Sequence, residues 1–306
     1  MSLRRASAPL NPGPPSKAEG HHNHPSQVED MEQQMQLGFG DLRPCYPAAD
    51  EAEAPHPPKA APDVDELIEA GAIFYCSHSG GKDSQAMYAI LRQRIPHAQI
   101  VVIHADLGRV EWAGVQEHIE ANIAHPLNVV RANKGLLDMV RHRFRTRPHV
   151  PSWPSSATRQ CTSDLKRNPI QKFIRRDMAA RRATLAVNCV GLRAEESAPR
   201  ARRSEWATNK ALSRAGRTVW DWNVVHALST AEVFATIRAA GQSPFWAYQS
   251  GNERLSCVFC IMGSRSDLAN GRKHRPELYA EYIQIEEETG WTLFANESLA
   301  DRSRST

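Results

Sequence analysis

From about Val64 the chain alternates between short, almost purely apolar runs and longer segments whose apolar positions repeat at helical spacing. The apolar runs have the length of buried strands, and the amphipathic segments have the length of ordinary helices. This alternation favours an α/β fold with a parallel sheet covered by helices on both faces. The predicted strands cover residues 72–79, 99–106, 127–132 and 183–191, and the predicted helices cover residues 63–71, 84–95, 112–124, 135–144 and 229–241.

The two ends of the chain depart from this alternation. Residues 1–62 hold 11 of the 20 prolines and few large apolar side chains, so they cannot bury a core. We predict that this Pro-rich segment is disordered and that residues 63–306 form the folded domain. The last part of that domain, from about residue 244, has the periodicity of amphipathic helices and is predicted to be helical.

Charge is distributed unevenly along the 306 residues. The formal net charge is +4, but residues 131–220 contain 21 Lys and Arg against 6 Asp and Glu, a local balance of +15. A basic region of this kind attracts polyanions, which makes nucleotide phosphates and nucleic acid (DNA or tRNA) candidate partners. A solvated basic face without a partner is the alternative.

The distribution of apolar residues bears on localisation. The sequence contains no uninterrupted apolar run that approaches the roughly 20 residues of a membrane helix. The first residues include two arginines but no apolar segment of the kind found in a secretory signal. We therefore expect a cytoplasmic protein with no membrane partner.

A compact polar motif, Ser-Gly-Gly-Lys-Asp-Ser at residues 79–84, separates the first predicted strand from the helix that follows it. Gly80 and Gly81 would let backbone N–H groups approach an anion, and the helix would present its positive end to the same place. The spacing differs from the Walker A and Rossmann glycine patterns. A tight turn without a ligand is the alternative, but it explains only the glycines.

The side chains of this motif supply the charges that a phosphate site requires. Ser79 and Ser84 can donate hydrogen bonds to phosphate oxygens, and Lys82 can neutralise negative charge. Asp83 would repel a phosphate unless a Mg²⁺ ion lay between them. The motif therefore predicts a magnesium-neutralised nucleotide phosphate.

Taken together, these segments resemble a known family. The motif at 79–84 resembles the PP-loop of the ATP pyrophosphatase superfamily, whose members bind an adenine nucleotide at the carboxyl ends of a parallel sheet. The segments RQCTSDLKRNPI (159–170), GLRAEESAPR (191–200) and the run at 229–260 with its Cys-x-x-Cys resemble those of phosphoadenylyl-sulfate (PAPS) reductases, in the same order. The resemblance to the PAPS reductase-like family (adenine nucleotide alpha hydrolase-like) covers about residues 72–265.

This resemblance implies roles for individual residues. Catalytic roles fall to Lys82, Asp83 and Arg193, and Asp106, in the segment HADLG after the second strand, is expected near the nucleotide. Arg193 and Arg200 are expected to contact the anionic part of the substrate, since guanidinium forks suit phosphate and sulfate oxygens. The complete set of implied nucleotide-binding residues is Ser79, Gly80, Gly81, Lys82, Asp83, Ser84, Asp106, Gly191, Arg193 and Arg200.

The cysteines suggest a second centre. Cys257 and Cys260 are separated by two residues, which lets both sulfurs face one metal. Family members with an iron–sulfur cluster add two adjacent cysteines near position 161, where this chain has Cys161 alone. The resemblance therefore implies a [4Fe–4S] cluster held by three thiolates, with one iron open. Zn²⁺ with His274, a fourth ligand from Cys189, and three metal-free cysteines in an apolar environment are the alternatives.

The reaction stays open between several candidates. The resemblance implies an enzyme that cleaves ATP between its α- and β-phosphates and couples this adenylylation to sulfur transfer from a sulfur donor, with nucleic acid as one acceptor. The alternative is a PAPS or adenylyl-sulfate reductase that uses an external thiol such as a thioredoxin-like protein, because no cysteine follows Cys260. A non-catalytic protein that binds nucleotide or nucleic acid is the third candidate.

Overall fold

The computed structural model describes residues 61–304, so the prediction for residues 1–62 lies almost wholly outside the described residues. Strands and helices alternate along this part of the chain. The strands are β1 (Ile73–Ser77), β2 (Ile100–Asp106), β3 (Leu127–Arg131), β4 (Leu185–Cys189), β5 (Trp206–Thr208) and β6 (Thr218–Trp222). The α-helices are α1 (Val64–Glu69), α2 (Lys82–Arg94), α3 (Val115–Asn122), α4 (Leu136–Thr146), α5 (Asn168–Arg181), α6 (Ala198–Ala201), α7 (Thr230–Ala239), α8 (Arg265–His274), α9 (Pro276–Thr289) and α10 (Leu299–Arg302).

The six strands form one sheet in the order β3-β2-β1-β4-β6-β5. Neighbouring strands are parallel except for β5 and β6, which pair antiparallel at one edge. The predicted parallel α/β sheet is confirmed. The sequence did not predict β6, whose apolar run is interrupted by Asp221. The Asp221 carboxylate is accommodated there because it accepts hydrogen bonds from Asn188 and Asn209 at 2.7 and 2.8 Å.

Helices cover both faces of the sheet, as predicted. On one face, Phe74 and Cys76 of β1 pack into a cluster with Met87 of α2 and Val233 of α7. On the other face, Tyr75 packs into a second cluster with residues of α5. Successive residues of β1 reach opposite clusters because side chains alternate across a strand.

The C-terminal helices build a third apolar cluster beside the sheet, which fits the predicted helical C-terminal part. Tyr282 of α9 is fully buried there and stacks on Trp153 with a ring-centroid distance of 5.3 Å. Phe259, which lies between the two cysteines of the Cys-x-x-Cys, packs edge-on against Tyr282 at 5.1 Å. Within residues 61–304, no helix combines the length and the apolar character that crossing a membrane requires.

Candidate nucleotide site and cysteine cluster

The motif at 79–84 connects the end of β1 to the start of α2. β1 is central in the sheet, and the chain leaves it toward β2 and β3 on one side and later toward β4 and β6 on the other. This is a topological switch point, where open α/β sheets bind ligands at the carboxyl ends of their strands. Gly80 has a φ of +75°, a left-handed conformation that favours glycine, and Gly81 is the residue that caps α2.

Backbone N–H groups are available at the start of α2. Within the described part of the chain, the N–H groups of Gly81, Asp83 and Ser84 have no hydrogen-bond acceptor. The N–H group of Lys82 donates to the hydroxyl of Tyr248 at 3.0 Å. Free N–H groups at a helix N-terminus, together with the helix dipole, attract anions. This end of α2 therefore offers three donors to a phosphate.

Side chains hold the loop in its shape. The Ser84 hydroxyl donates to the carbonyl of Gly81 at 2.9 Å and accepts from the Ser79 N–H group at 3.1 Å. The Gly80 N–H group donates to Nδ1 of His78 at 3.1 Å. Hydrogen bonds of this kind fix where the remaining N–H groups lie, so the anion site is preorganised. In this structure the two serine hydroxyls bond within the loop.

Three charged side chains meet at the same place. Arg193 donates from Nε to Oδ1 of Asp83 at 2.6 Å and also pairs with Glu195. Nζ of Lys82 lies 3.5 Å from Oδ2 of Asp83 and donates to the carbonyl of Glu253 at 3.1 Å. Burial by itself lowers the pKa of Arg193, but the Asp83 and Glu195 carboxylates raise it above its ordinary value. The predicted catalytic trio is thus one network of neutralised charges.

Gly191 and Arg200 follow β4 and differ in their relation to the loop. A Cβ on Gly191 would lie 3.0 Å from the backbone carbonyl carbon of Asp83, so any other residue would require the backbone at the start of α2 to shift. The structure therefore brings Gly191 against the start of α2, and its predicted contact with the nucleotide stays a prediction. Arg200 pairs with Glu196 one turn away, and the contacts of residues 61–304 include none between Arg200 and the loop.

Asp106 lies at the end of β2, at the same edge of the sheet as the loop. Its carboxylate pairs with Arg131 of β3, and its Oδ1 accepts the Gly108 N–H group at 2.5 Å. Burial raises the pKa of Asp106, but the hydrogen bond from Arg131 outweighs burial and holds the pKa below its usual range. Asp106 is therefore ionised and already paired.

Two buried histidines behind the loop were not predicted from the sequence. His78 is 2% exposed, and burial lowers its pKa to about 3. Its Nδ1 accepts the Gly80 N–H group, which places the proton of the neutral ring on Nε2. His104 donates from Nδ1 to the carbonyl of His78 at 3.0 Å. Burial lowers the pKa of His104, but the nearby Glu111 carboxylate outweighs burial and raises the pKa above its ordinary value. A histidine within or at the end of an apolar run gives no sequence signal that it hydrogen-bonds to the backbone behind the loop.

Tyr248 was also missed. Its hydroxyl accepts the Lys82 N–H group and lies 3.2 Å from where a Cβ on Gly81 would be. The Lys82 ammonium lies 5.4 Å from the centre of the Tyr248 ring. The tyrosine therefore stands at the mouth of the anion site, contributed by the loop that precedes the Cys-x-x-Cys. Nothing in the spacing of this loop indicates which of its aromatic residues reaches the helix.

The three cysteines predicted to bind metal lie against one apolar cluster and are all free. Cys257 is buried, and Cys161 and Cys260 are half-buried. Burial raises the pKa of Cys161, and raises that of Cys257 to about 12. The Met262 N–H group donates to the sulfur of Cys260 at 3.4 Å. The three cysteines therefore share one apolar environment, and their role as metal ligands stays a prediction.

The elements around these cysteines are connected. Cys161 precedes a π-helical turn, Thr162–Arg167, that continues directly into α5. Pro169 at the start of α5 has no N–H group to donate backwards, which favours such an irregular turn. Lys166 in this turn donates to the hydroxyl of Ser256 at 3.1 Å and so ties it to the segment that carries Cys257.

The donor atoms can be tested against the expected metals. Asp83 fits Mg²⁺ as a single oxygen donor, because its Oδ2 makes no hydrogen bond to any described residue and has only the Lys82 ammonium nearby, at 3.5 Å. A single Zn²⁺ needs its ligand atoms about 2.0–2.3 Å from one point. Residues 61–304 contain no group of three His, Cys, Asp or Glu side chains arranged for one ion, so the zinc alternative stays a prediction.

An iron–sulfur cluster makes a looser demand, because its cysteine ligands bind separate irons. Cys161, Cys257 and Cys260 are free thiols against one apolar cluster, and they are the residues that would supply its thiolates. The other two proposed ligands lie elsewhere. Cys189 is buried in the sheet opposite Cys76, in a different cluster, and His274 packs edge-on against Trp246 at 4.9 Å.

The likeness of this chain to solved structures is distant. Neither a scan against protein-family models nor a search of curated proteins finds a match. Among solved structures, the chain is similar to the crystal structure of phosphoadenylyl-sulfate (PAPS) reductase from Candida auris in complex with phosphate. The TM-score is 0.38 with 11% sequence identity, over 60% of this chain and 80% of that chain. A likeness at this level does not carry a function from that enzyme to this chain.

Proposed function

We propose that the protein is a PAPS-reductase-like PP-loop enzyme that binds an adenine nucleotide through residues 79–84 and acts at its phosphate or sulfate group. One observation carries the proposal. Three N–H groups without an acceptor open α2 at the switch point of the sheet, beside the charges of Lys82, Asp83 and Arg193. A tight turn without a ligand would have no reason to gather these charges at free donors.

The reaction we propose is cleavage of ATP between the α- and β-phosphates. An acceptor oxygen attacks the α-phosphorus, the bond to the bridging oxygen breaks, and pyrophosphate leaves with the electron pair. Lys82 and the free N–H groups would hold the phosphates in line and neutralise the charge that develops. Mg²⁺ bound at Asp83 would supply further neutralisation of the phosphates.

Arg193 would change partner as the nucleotide binds. Its guanidinium bonds to Asp83 and Glu195 in this structure. Two oxygens of a phosphate or sulfate group can accept from the guanidinium with the same bidentate geometry as a carboxylate. Because Arg193 is 3% exposed, it is held close to this position and needs little movement to exchange one oxygen ligand for another.

Sulfur transfer to the adenylylated acceptor is the step we assign to the cysteine cluster. Cys161, Cys257 and Cys260 would hold a [4Fe–4S] cluster, which would supply an open iron for a sulfur donor. The basic region at 131–220 supports DNA or tRNA as the acceptor.

A sulfonucleotide reductase is the second candidate, and the surroundings of Cys260 favour it. This sulfur is only half-buried, and the Met262 N–H group donates to it at 3.4 Å, so it is partly accessible and held in position by the backbone. In that reaction a thiolate attacks the sulfur of PAPS or adenylyl sulfate, the nucleotide phosphate leaves, and an external dithiol of the thioredoxin type reduces the adduct to release sulfite.

Product analysis separates these candidates. Purified full-length protein is incubated with ATP, Mg²⁺ and either DNA or tRNA, and pyrophosphate is measured. In parallel it is incubated with PAPS and thioredoxin, and sulfite is measured. Pyrophosphate release supports adenylylation, and sulfite release that is lost in Cys260→Ser supports reduction. The absence of both products and of nucleotide binding would leave only an α/β scaffold.

An Asp83→Asn variant tests the loop itself. It should abolish Mg²⁺-dependent turnover, because the carboxylate that would bind the metal is removed. Nucleotide binding without Mg²⁺ should change little, because the Asn oxygen can still accept the hydrogen bond from Arg193. Asp138→Asn is the matched control, since Asp138 also lies in the first turn of a helix, α4, but is exposed. Equal activity of the two variants would contradict the role of the loop.

A further inference from the structure

A cleft of about 400 Å³ opens along α4, and none of its lining residues belongs to the loop at 79–84 or to the cysteine cluster. Its volume lies within the range of roughly 300–1,000 Å³ that is typical of small-molecule sites. One wall is α4, and the segment from Ser152 to Gln160 contributes lining residues to the other.

Basic side chains line this cleft without acidic partners. Lys134, His142, Arg143 and Arg147 belong to the lining, which contains no Asp or Glu. In the described part of the chain, none of the four forms an ion pair with a carboxylate. Other basic residues of the same helix behave differently, because Arg141 pairs with Glu281 and Glu288. The cleft therefore carries concentrated positive charge.

Two buried donors of the lining also lack acceptors. The hydroxyl of Ser152 is buried, with the residue 3% exposed, and has no hydrogen-bond partner in residues 61–304. Nε of Arg143 is likewise buried and without an acceptor, although Nη1 of the same guanidinium donates to Gln160 at 2.9 Å. Buried polar groups are normally satisfied. Donors of this kind in a cationic cleft fit the oxygens of a bound anion.

The floor of the cleft is apolar. Leu136, Met139 and Val140 are spaced i, i+3 and i+4 along α4, so they share one face of the helix. An inorganic anion would leave this floor without a partner. The geometry points to a ligand with a phosphate group for the cations and an apolar body for the floor.

We propose that the cleft is a second binding site, separate from the loop, for a phosphate group joined to a nucleobase. A free mononucleotide and one nucleotide unit of a nucleic-acid strand share this chemistry. The site does not depend on the loop at 79–84, but its cations belong to the basic region at 131–220 that supports a nucleic-acid acceptor in the proposed function.

Binding measurements on the full-length protein test this site. The probes are UMP and inorganic phosphate by calorimetry, and a fluorescein-labelled single-stranded oligothymidylate by polarisation at low and moderate salt. UMP or the oligonucleotide should bind more tightly than phosphate. Lys134→Ala and Arg147→Ala should each weaken binding about tenfold, as expected for a lost charge-assisted hydrogen bond. Ser152→Ala should weaken binding without lowering the thermal midpoint of unfolding, because its hydroxyl has no partner in the free protein.

Two controls keep the test specific. Arg145→Ala removes the same charge from the same helix at an exposed position outside the lining, and it should leave the affinity unchanged. Lys82→Ala removes the cation of the loop and should also leave it unchanged. Tighter binding of the oligonucleotide with steep salt dependence would identify a strand as the source, and equal affinity for UMP would identify a free nucleotide.

The proposal is overturned by any of four results. These are no binding of UMP or the oligonucleotide, unchanged binding in all three cleft variants, an equal loss in Arg145→Ala, and loss in Lys82→Ala. Binding of phosphate as tight as that of UMP would overturn the assignment of an apolar body to the ligand.

Discussion

The loop at 79–84 and the cleft along α4 both gather basic side chains, but they arrange them in opposite ways. Around the loop, Lys82 and Arg193 share the carboxylate of Asp83 and are nearly buried. In the cleft, Lys134 and Arg147 are exposed and, within the described residues, have no carboxylate partner. The basic side chains are therefore paired with carboxylates and held in place around the loop, whereas in the described part of the cleft they are unpaired and exposed to solvent.

This difference has consequences for binding and for stability. A ligand at the loop must replace partners that are already in place, so the geometry is fixed before binding and selectivity can be high. A ligand at the cleft displaces water and counterions, so affinity there depends on salt. Removing a buried, paired charge is costly, whereas removing an exposed one changes stability little.

At neutral pH the largest effect of a single substitution is expected at Arg193. Replacing it with Ala leaves the carboxylates of Asp83 and Glu195 without their shared cation, and we expect the free energy of unfolding to fall by about 3 kcal/mol. Urea denaturation measures this change. Arg200→Ala is the matched control, because Arg200 pairs with Glu196 at a partly exposed position and should cost less than about 1 kcal/mol. Equal losses would show that the loop network is no more than a surface ion pair.

The next effect concerns pH and His78. The unfolded His78 titrates near 6.5, whereas burial lowers the pKa in the fold to about 3. Below pH 6.5 the unfolded chain binds a proton at His78 that the folded protein does not bind. The contribution of the neutral His78 to the free energy of unfolding is therefore complete above pH 6.5 and declines as the pH falls toward 3. We expect a loss of about 1 kcal/mol per pH unit in this window.

A His78→Asn variant isolates the pH-dependent contribution of His78 to stability. Asn keeps an acceptor for the Gly80 N–H group but does not titrate, so its unfolding free energy should depend less on pH between 6.5 and 3 than that of the wild type. Because Glu111 raises the pKa of His104, which contributes with the opposite sign, the difference between the two proteins is the useful quantity. Parallel profiles for wild type and His78→Asn would contradict a buried neutral imidazole behind the loop.

The sequence predicted most of the sheet, and the reason is physical. Apolar runs such as residues 99–106 are buried on both faces, so their composition alone identifies them as strands. Strands β5 and β6 were missed because they form an edge whose polar Asp221 is satisfied by two asparagines distant in sequence. Partners that only folding brings together leave no local pattern.

The site divides in the same way. Residues 79–84 were recognisable because the loop is contiguous and its glycines are required by its geometry. His78 and Tyr248 were not, since each acts through one hydrogen bond to a backbone N–H group. The pairing of Arg193 with Asp83, 110 residues apart, was equally invisible, although each residue was predicted separately. The prediction of a metal at the three cysteines stays a prediction.

A smaller effect is expected at Tyr248. Phe at this position removes the acceptor of the Lys82 N–H group while the ring stays in place, and we expect the unfolding free energy to fall by about 1 kcal/mol. Tyr279→Phe is the control, because its hydroxyl has only a 3.5 Å contact with Ser303. If both variants kept the stability of the wild type, the start of α2 would not depend on the tyrosine for order, and the view of the loop as a rigid, satisfied site would weaken.

The smallest effect sharpens the comparison most, because its sign differs from the others. Lys134 immediately precedes Gly135, which caps the N-terminus of α4, so its charge opposes the helix dipole. Lys134→Ala should therefore raise the unfolding free energy by about 0.3 kcal/mol at low salt, while Arg145→Ala, in the last turn, should lower it by a similar amount. Both changes should fade at high salt. In an unpaired cationic cleft, Lys134 is expected to lower the stability of the fold slightly while it strengthens ligand binding. A loss of stability in Lys134→Ala would instead mean that this cation is paired, like those of the loop.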